Sequence, residues 1–206
     1  MLDSLSNDTE ARMEQILGQP PRMTPLPEGE LSDVAIAAVR RMRRFSDMPE
    51  EGEVNSEFAT LARHPDLLAA FLDFGSMFLA GTAMEPRLRE IAILRTGWLC
   101  RAPYEWGEHV IIGKREGLTS EEIEWITQGS SAPGWSECER AILRAVEELH
   151  GDAMISDESW AVLERHLDVR QLIELPVMVG QYHKVAFIQN AMRFRTRDCN
   201  PGLAAR

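Results

Sequence analysis

Three ionisable side chains lie in otherwise apolar helical patterns near the middle of the chain. Glu90 belongs to one pattern, and Glu105 and His109 lie four residues apart in the next. Residues four apart face the same side of a helix, so this carboxylate and imidazole can form a hydrogen bond. A carboxylate beside a histidine raises the pKa of the ring and orients it, as a general acid–base needs near neutral pH. The spacing therefore predicts proton-transfer chemistry at these residues.

Glu90 shares a helical face with Ile93 and Leu94, which predicts a partly buried carboxyl group whose pKa is raised unless a cation or a hydrogen-bond donor offsets the burial. We expect His109 to be its partner if the two helices form a hairpin, and a neutral Glu90 can then donate or relay a second proton. The competing interpretation is a buried Glu–His pair that only fixes helix packing. Because Glu90 adds a third ionisable residue to the Glu105–His109 pair, the catalytic interpretation and the packing interpretation have about equal weight.

Four aromatic or imidazole side chains are candidates for substrate binding. Tyr104 and Trp106 flank Glu105 and are expected to wall the site and help to dehydrate it. Tyr182 and His183 fall on or beside the packed face of the last predicted helix. Residues of these two types in such positions are more often ordinary core residues, because both tolerate half-burial.

Composition limits the classes of function. The chain has 206 residues, 44% of them hydrophobic and 27% charged, as in an ordinary soluble globular protein with one domain. A net charge of −11 argues against a nucleic-acid or anionic-membrane partner. The sequence contains no signal-peptide core and no membrane-spanning run, so a cytoplasmic location is the expectation. Three cysteines without a CxxC pair predict neither a disulfide framework nor a zinc site.

Helical signals dominate the chain and predict an all-α fold. Residues 1–30 are rich in proline and are expected to form an irregular arm, followed by a helical domain over 31–206. Proline at a first-turn position starts the two central helices, and capping boxes begin two later ones. The predicted helices span about 33–45, 56–63, 66–79, 86–98, 103–117, 119–128, 136–149, 157–166 and 169–195.

A short internal match is consistent with a duplicated helical bundle. The segments REIAILR (89–95) and CERAILR (138–144) align without gaps, and each begins a helix followed by a helical hairpin. A match of this length also arises by chance in helical sequence, so it does not establish a duplication.

The blocks REIAILR (89–95), YEWGEH (104–109) and GLTSEEI (117–123) resemble the carboxymuconolactone decarboxylase family, which includes the alkylhydroperoxidase D proteins. The resemblance covers residues 58–128 well and the remainder more loosely. It implies a compact all-helical protomer that assembles into a homotrimer or homohexamer, with the active site near a subunit interface.

The family motif is a glutamate, two middle positions and a histidine, which correspond here to Glu90, Ala102, Glu105 and His109. In the peroxidase branch the middle positions are cysteines, and the flanking glutamate and histidine relay protons to them. Neither cysteine is present here, and Cys100 is expected to be a buried small side chain. By resemblance, the chain is similar to the lactone decarboxylases and other cofactor-free enzymes of aromatic-acid breakdown.

The leading hypothesis is therefore a cofactor-independent lyase or isomerase that acts on a small anionic lactone or carbonyl compound. His109 would move the proton, Glu105 would orient it, and Glu90 would supply the second proton. Three alternatives stay open: a thiol peroxidase that uses Cys100; a metal enzyme that binds through Glu105 and His109 with Glu90 or His183; and a polar seam that holds an oligomer together.

Overall fold

A computed structural model describes residues 2–206, with side chains described from residue 8 onward, and the described residues form helices and no β-strand. This confirms the all-α prediction. None of the helices in that range is both long and apolar enough to cross a bilayer. The helices are α1 (Leu2–Ile16), α2 (Asp33–Phe45), α3 (Ser56–Leu61), α4 (Pro65–Ala80), α5 (Pro86–Leu99), α6 (Pro103–Arg115), α7 (Ser120–Gln128), α8 (Glu137–Asp152), α9 (Asp157–Leu163) and α10 (Val169–Met192).

The N-terminal segment, residues 1–30, contains a helix that the sequence pattern did not predict. An irregular arm over residues 1–30 was expected, but α1 occupies the first half of that range. The prolines that suggested an arm all lie beyond residue 19, where the chain is indeed irregular up to a short 3₁₀ turn at Glu28–Glu30. The helix is held in place because Arg12 donates to the carbonyl of Arg101, and Ile16 is buried.

The chain divides into two compact units, one formed by residues 1–20 with 83–206 and the other by residues 21–82. In the smaller unit α2 packs on α4, and Arg41 forms a bidentate pair with Asp73. The predicted division at residue 30 into an arm and a helical domain stays a prediction.

In the larger unit, α5 is buried on every side. Each residue from Arg89 to Gly97 is buried, because α6, α8 and α10 all pack against this helix. Arg95 is accommodated there by the C-terminal end of α7, where it donates to the carbonyls of Ile126 and Thr127. A cation complements the exposed carbonyls of a helix end, which offsets part of the cost of burying the charge.

Local sequence signals fix the ends of the helices that carry the site. Pro86 and Pro103 occupy first-turn positions of α5 and α6, as predicted. Both predicted capping boxes are present, at the start of α7 and of α8. The segments that suggested an internal duplication lie in α5 and α8, which pack against each other, and the duplication itself stays a hypothesis.

Candidate active site

Glu90, His109 and Glu105 form a continuous buried hydrogen-bonded row. Helices α5 and α6 pack as the expected hairpin, and His109 Nδ1 lies 2.7 Å from Glu90 Oε2. On the other side of the ring, His109 Nε2 lies 3.2 Å from Glu105 Oε1. All three side chains are buried, and Glu90 is completely inaccessible. The structure thus brings the three predicted residues together, with the imidazole between the two carboxylates.

The surroundings of Glu90 keep its carboxylate ionised. Burial acts to raise the pKa of Glu90, but the charges of His109 and Arg89 and their hydrogen bonds together lower it below its ordinary value. Arg89 Nε donates to Glu90 Oε1 at 2.8 Å. The expectation of a neutral Glu90 that donates a proton is therefore wrong, because His109 and Arg89 offset the effect of burial on its pKa.

His109 carries a proton on each ring nitrogen at neutral pH. Burial acts to lower the pKa of the ring, but the negative charges of Glu90 and Glu105 and their hydrogen bonds outweigh it and raise the pKa to about 10. Each nitrogen faces a carboxylate oxygen, which only accepts hydrogen bonds. The centre is consequently a doubly hydrogen-bonded imidazolium, which can act as an acid but has no free lone pair.

Helix α10 closes the other side of the centre with Tyr182 and Gln189. Gln189 Nε2 donates to Glu105 Oε2 at 2.7 Å, so both oxygens of that carboxylate are engaged. The ring of Tyr182 packs edge-on against the His109 ring, with centroids 5.1 Å apart. Tyr182 and Gln189 are seven residues apart, which places them on one helical face. That spacing was the signal in the sequence that could have identified Gln189.

Tyr104 and Trp106 contact other parts of the larger unit. Trp106 is fully buried, packs against Trp98 with ring centroids 4.9 Å apart and ring planes tilted by 56°, and donates from Nε1 to the carbonyl of Ala205. Tyr104 is also buried, and its carbonyl accepts a hydrogen bond from Asn200. These contacts attach the C-terminal segment to α6. A role of either side chain in substrate binding stays a prediction.

His183 lies in a second cluster, with Cys100 and His150. Adjacent residues on a helix point about 100° apart, so Tyr182 and His183 do not share a face. His183 Nε2 is 2.8 Å from His150 Nδ1, and ligand atoms of Cys100, His150 and His183 all lie within 4.8 Å of one another. His150 lies in the last turn of α8, and its position in the sequence does not indicate a place in this cluster.

The thiol of Cys100 is poorly suited to peroxide chemistry in its present state. Burial and the charge of Glu105 raise its pKa to about 11, so the thiolate that attacks a peroxide is scarce at neutral pH. Cys100, Cys138 and Cys199 are all free.

The metal set considered from the sequence is only partly brought together. Both ring nitrogens of His109 contact carboxylates, whereas His183 lies in a different cluster, and a metal at His109 stays a hypothesis.

Comparison with known proteins identifies a family for the central segment. Residues 65–148 match the model of the carboxymuconolactone decarboxylase family. This match confirms the resemblance drawn from the motif residues, which all lie within it. Comparison with curated proteins gave no significant match.

Solved structures with the same fold share little sequence with this chain. A protein of unknown function from Agrobacterium tumefaciens, a candidate antioxidant defence protein AhpD, superposes with a TM-score of 0.61 at 17% identity, over 66% of this chain and 94% of its own. The debrominase Bmp8 in its apo form gives a TM-score of 0.70 at 16% identity, over 87% and 94%. A cysteine-to-alanine variant of Bmp8 in complex with 2,3,4-tribromopyrrole gives 0.71 at 16%, over 88% and 95%. At these identities the likeness concerns the fold.

Proposed function

Residues 65–148 match the carboxymuconolactone decarboxylase family, and on that premise we propose a cofactor-independent acid–base enzyme. The proposed reaction is decarboxylation or isomerisation of a small anionic lactone or carbonyl compound. The observation that carries the proposal is the buried row in which His109 lies between Glu90 and Glu105. The match to the family supports the reaction class. The Glu90–His109–Glu105 row supplies the groups that can move a proton.

The three residues take different roles in this proposal. His109 is the general acid, since its ring is protonated at neutral pH. Glu90 is a positioning residue, because Arg89 and His109 hold it ionised behind the ring. Glu105 is the carboxylate that accepts a proton from substrate, after its hydrogen bond to His109 opens.

Each proposed reaction balances with these groups alone. In decarboxylation, the carbon–carbon bond to the substrate carboxylate breaks, carbon dioxide leaves, and the electron pair passes into the adjacent carbonyl system. His109 then donates the proton that ends on carbon and recovers one from water. In isomerisation, Glu105 removes a proton beside the carbonyl group, His109 returns one at the new position, and the proton on Glu105 then passes to His109, which restores both groups. Neither reaction needs a redox partner.

The test is turnover of a panel of small lactones and keto acids by the wild type, followed as carbon dioxide release and as deuterium incorporation from solvent. On a substrate that the wild type converts, His109→Gln and Glu105→Gln should each lower kcat by about 10²–10⁴-fold, the usual contribution of general acid–base catalysis. Glu108→Gln is the matched control, since Glu108 lies on the same helix and pairs with Arg197 and Asn200.

Full turnover by both variants would overturn the assignment. A different result would favour the polar-seam interpretation of the same residues: the substitutions change assembly or the melting temperature, and the wild type converts neither the panel nor a peroxide.

We further propose that the active unit is a homo-oligomer built through α10. An apolar stripe on that helix is solvent-exposed in the single chain, with Val169 71%, Ile173 63% and Phe187 62% exposed. These positions recur at helical spacing on one face. An exposed apolar stripe of this kind is typical of a protein–protein interface, and the resemblance to the family implies a trimer or a hexamer.

A further inference from the structure

The second cluster has the composition and geometry of a transition-metal site. Cys100 lies at the C-terminal end of α5, His150 in the last turn of α8, and His183 in α10, so three separate helices converge there. Their ligand atoms lie within 4.8 Å of one another. We propose that Cys100, His150 and His183 bind a divalent zinc-like cation, with a fourth position left for water or an anionic ligand.

The distances are close to those of tetrahedral coordination. Zinc bonds of about 2.3 Å to sulfur and about 2.0 Å to nitrogen place ligand atoms about 3.3–3.6 Å apart. The two imidazole nitrogens are 2.8 Å apart and the whole set lies within 4.8 Å. Rotations of the three side chains by roughly 1 Å at the ligand atoms are therefore enough to close the site.

The hydrogen bonds of His183 prepare its ring for coordination. Its Nδ1 lies 2.8 Å from the carbonyl oxygen of Val179, which only accepts, so Nδ1 carries the proton. In the neutral ring, the lone pair then lies on Nε2, the nitrogen that faces His150 and Cys100. A histidine ligand that donates its other N–H to a backbone carbonyl is the usual arrangement in metal sites.

Binding the cation requires a defined movement of protons. The Cys100 thiol releases its proton to solvent, and the proton of His150, an exposed residue, moves from Nδ1 to Nε2 by exchange with water. The cation then replaces the hydrogen bond between the two rings. A thiolate with two imidazoles favours zinc over magnesium or calcium, which prefer oxygen ligands. Burial and the charge of Glu105 oppose the loss of the Cys100 proton, the charge of Arg12 favours it, and the charge of the bound cation would favour it further.

The proposal stands apart from the Glu90–His109–Glu105 row, and its test does not depend on activity. Cobalt(II) added to the chelator-treated full chain without oxygen should give a sulfur-to-cobalt charge-transfer band and the visible bands of tetrahedral cobalt. Zinc should then displace both. Cys100→Ser should abolish the charge-transfer band, and His183→Asn should weaken cobalt binding by more than about tenfold.

The matched control is the double variant Cys138→Ser with Cys199→Ser, which leaves Cys100 as the single thiol. This variant should keep the charge-transfer band, and it tests the proposal even if Cys100→Ser fails to fold. Two results would overturn the site: absence of the band in the wild type, or a band that persists in folded Cys100→Ser and disappears in the double variant.

Discussion

At the scale of single residues, the centre is governed by how many charges surround one imidazole. Two carboxylates face the His109 ring, and Arg89 balances the second negative charge. The number of carboxylates decides the chemistry of the ring, since each of the two raises the pKa of His109. The contact between Glu105 and His109 could be predicted from their spacing in the sequence. The contact between Arg89 and Glu90 could not be predicted, because adjacent residues on a helix usually point apart.

The raised pKa of His109 makes stability depend on pH in a defined direction. A raised folded-state pKa contributes stability that is complete below the ordinary pKa of 6.5 and is lost as pH rises toward about 10. The free energy of unfolding should therefore fall between about pH 6.5 and pH 7.5, by at most about 1.4 kcal/mol per pH unit. Urea denaturation across this range measures the slope below the pH at which cysteine thiols ionise in the unfolded chain.

Two substitutions on α6 make this measurement specific. Glu105→Gln removes one negative charge, so the fall with pH should be smaller, whereas Glu108→Gln should leave the slope unchanged. A wild-type stability that stays flat over the same range would show that His109 is not held protonated.

At the scale of helices, the site depends on close packing between the α5–α6 hairpin and its neighbours. Asn200 in the C-terminal segment is buried against α6, where it binds the carbonyl of Tyr104 and accepts from the amide of Gly202. A Cβ atom at Gly107 would overlap with the Asn200 amide. Gly107 thus allows the C-terminal segment to lie directly on the helix that carries His109.

Gly107→Ala should destabilise the protein by about 1–3 kcal/mol, because the buried Asn200 amide must give up its position. Gly151→Ala is the matched control: Gly151 lies in α8, a Cβ there meets nothing within 4 Å, and alanine is the better helix former. Denaturant midpoints of the two variants measure the difference. Equal midpoints would mean that the C-terminal segment does not pack on α6 as described.

Much of the helical framework could be predicted from local signals. Proline at first-turn positions and capping boxes define the helix starts, because they act within a single turn. Helix α1 was not predicted, because the four prolines that follow it within residues 20–27 suggested that the whole segment is irregular. The cluster of Cys100, His150 and His183 could not be predicted, since it depends on the packing of three helices that are distant in sequence.

At the scale of the whole molecule, the exposed apolar stripe on α10 predicts self-association. Ile173→Asp and Phe187→Asp each place a charge on this stripe and should lower the molar mass measured by light scattering after gel filtration. Met154→Asp is the control, because Met154 is 60% exposed outside α10. A mass that is unchanged in both α10 variants, or a wild type that is monomeric at all concentrations, would contradict the proposed interface.

The protonation state of His109 is the central claim, and nitrogen-detected NMR of the imidazole rings tests it most directly. The His109 signals can be assigned by their absence in His109→Gln. The ring should show a proton on both nitrogens throughout the range from about pH 6 to pH 8.5, since its pKa is raised to about 10 by Glu90 and Glu105. A ring that loses a proton near its ordinary pKa of 6.5 would contradict the account.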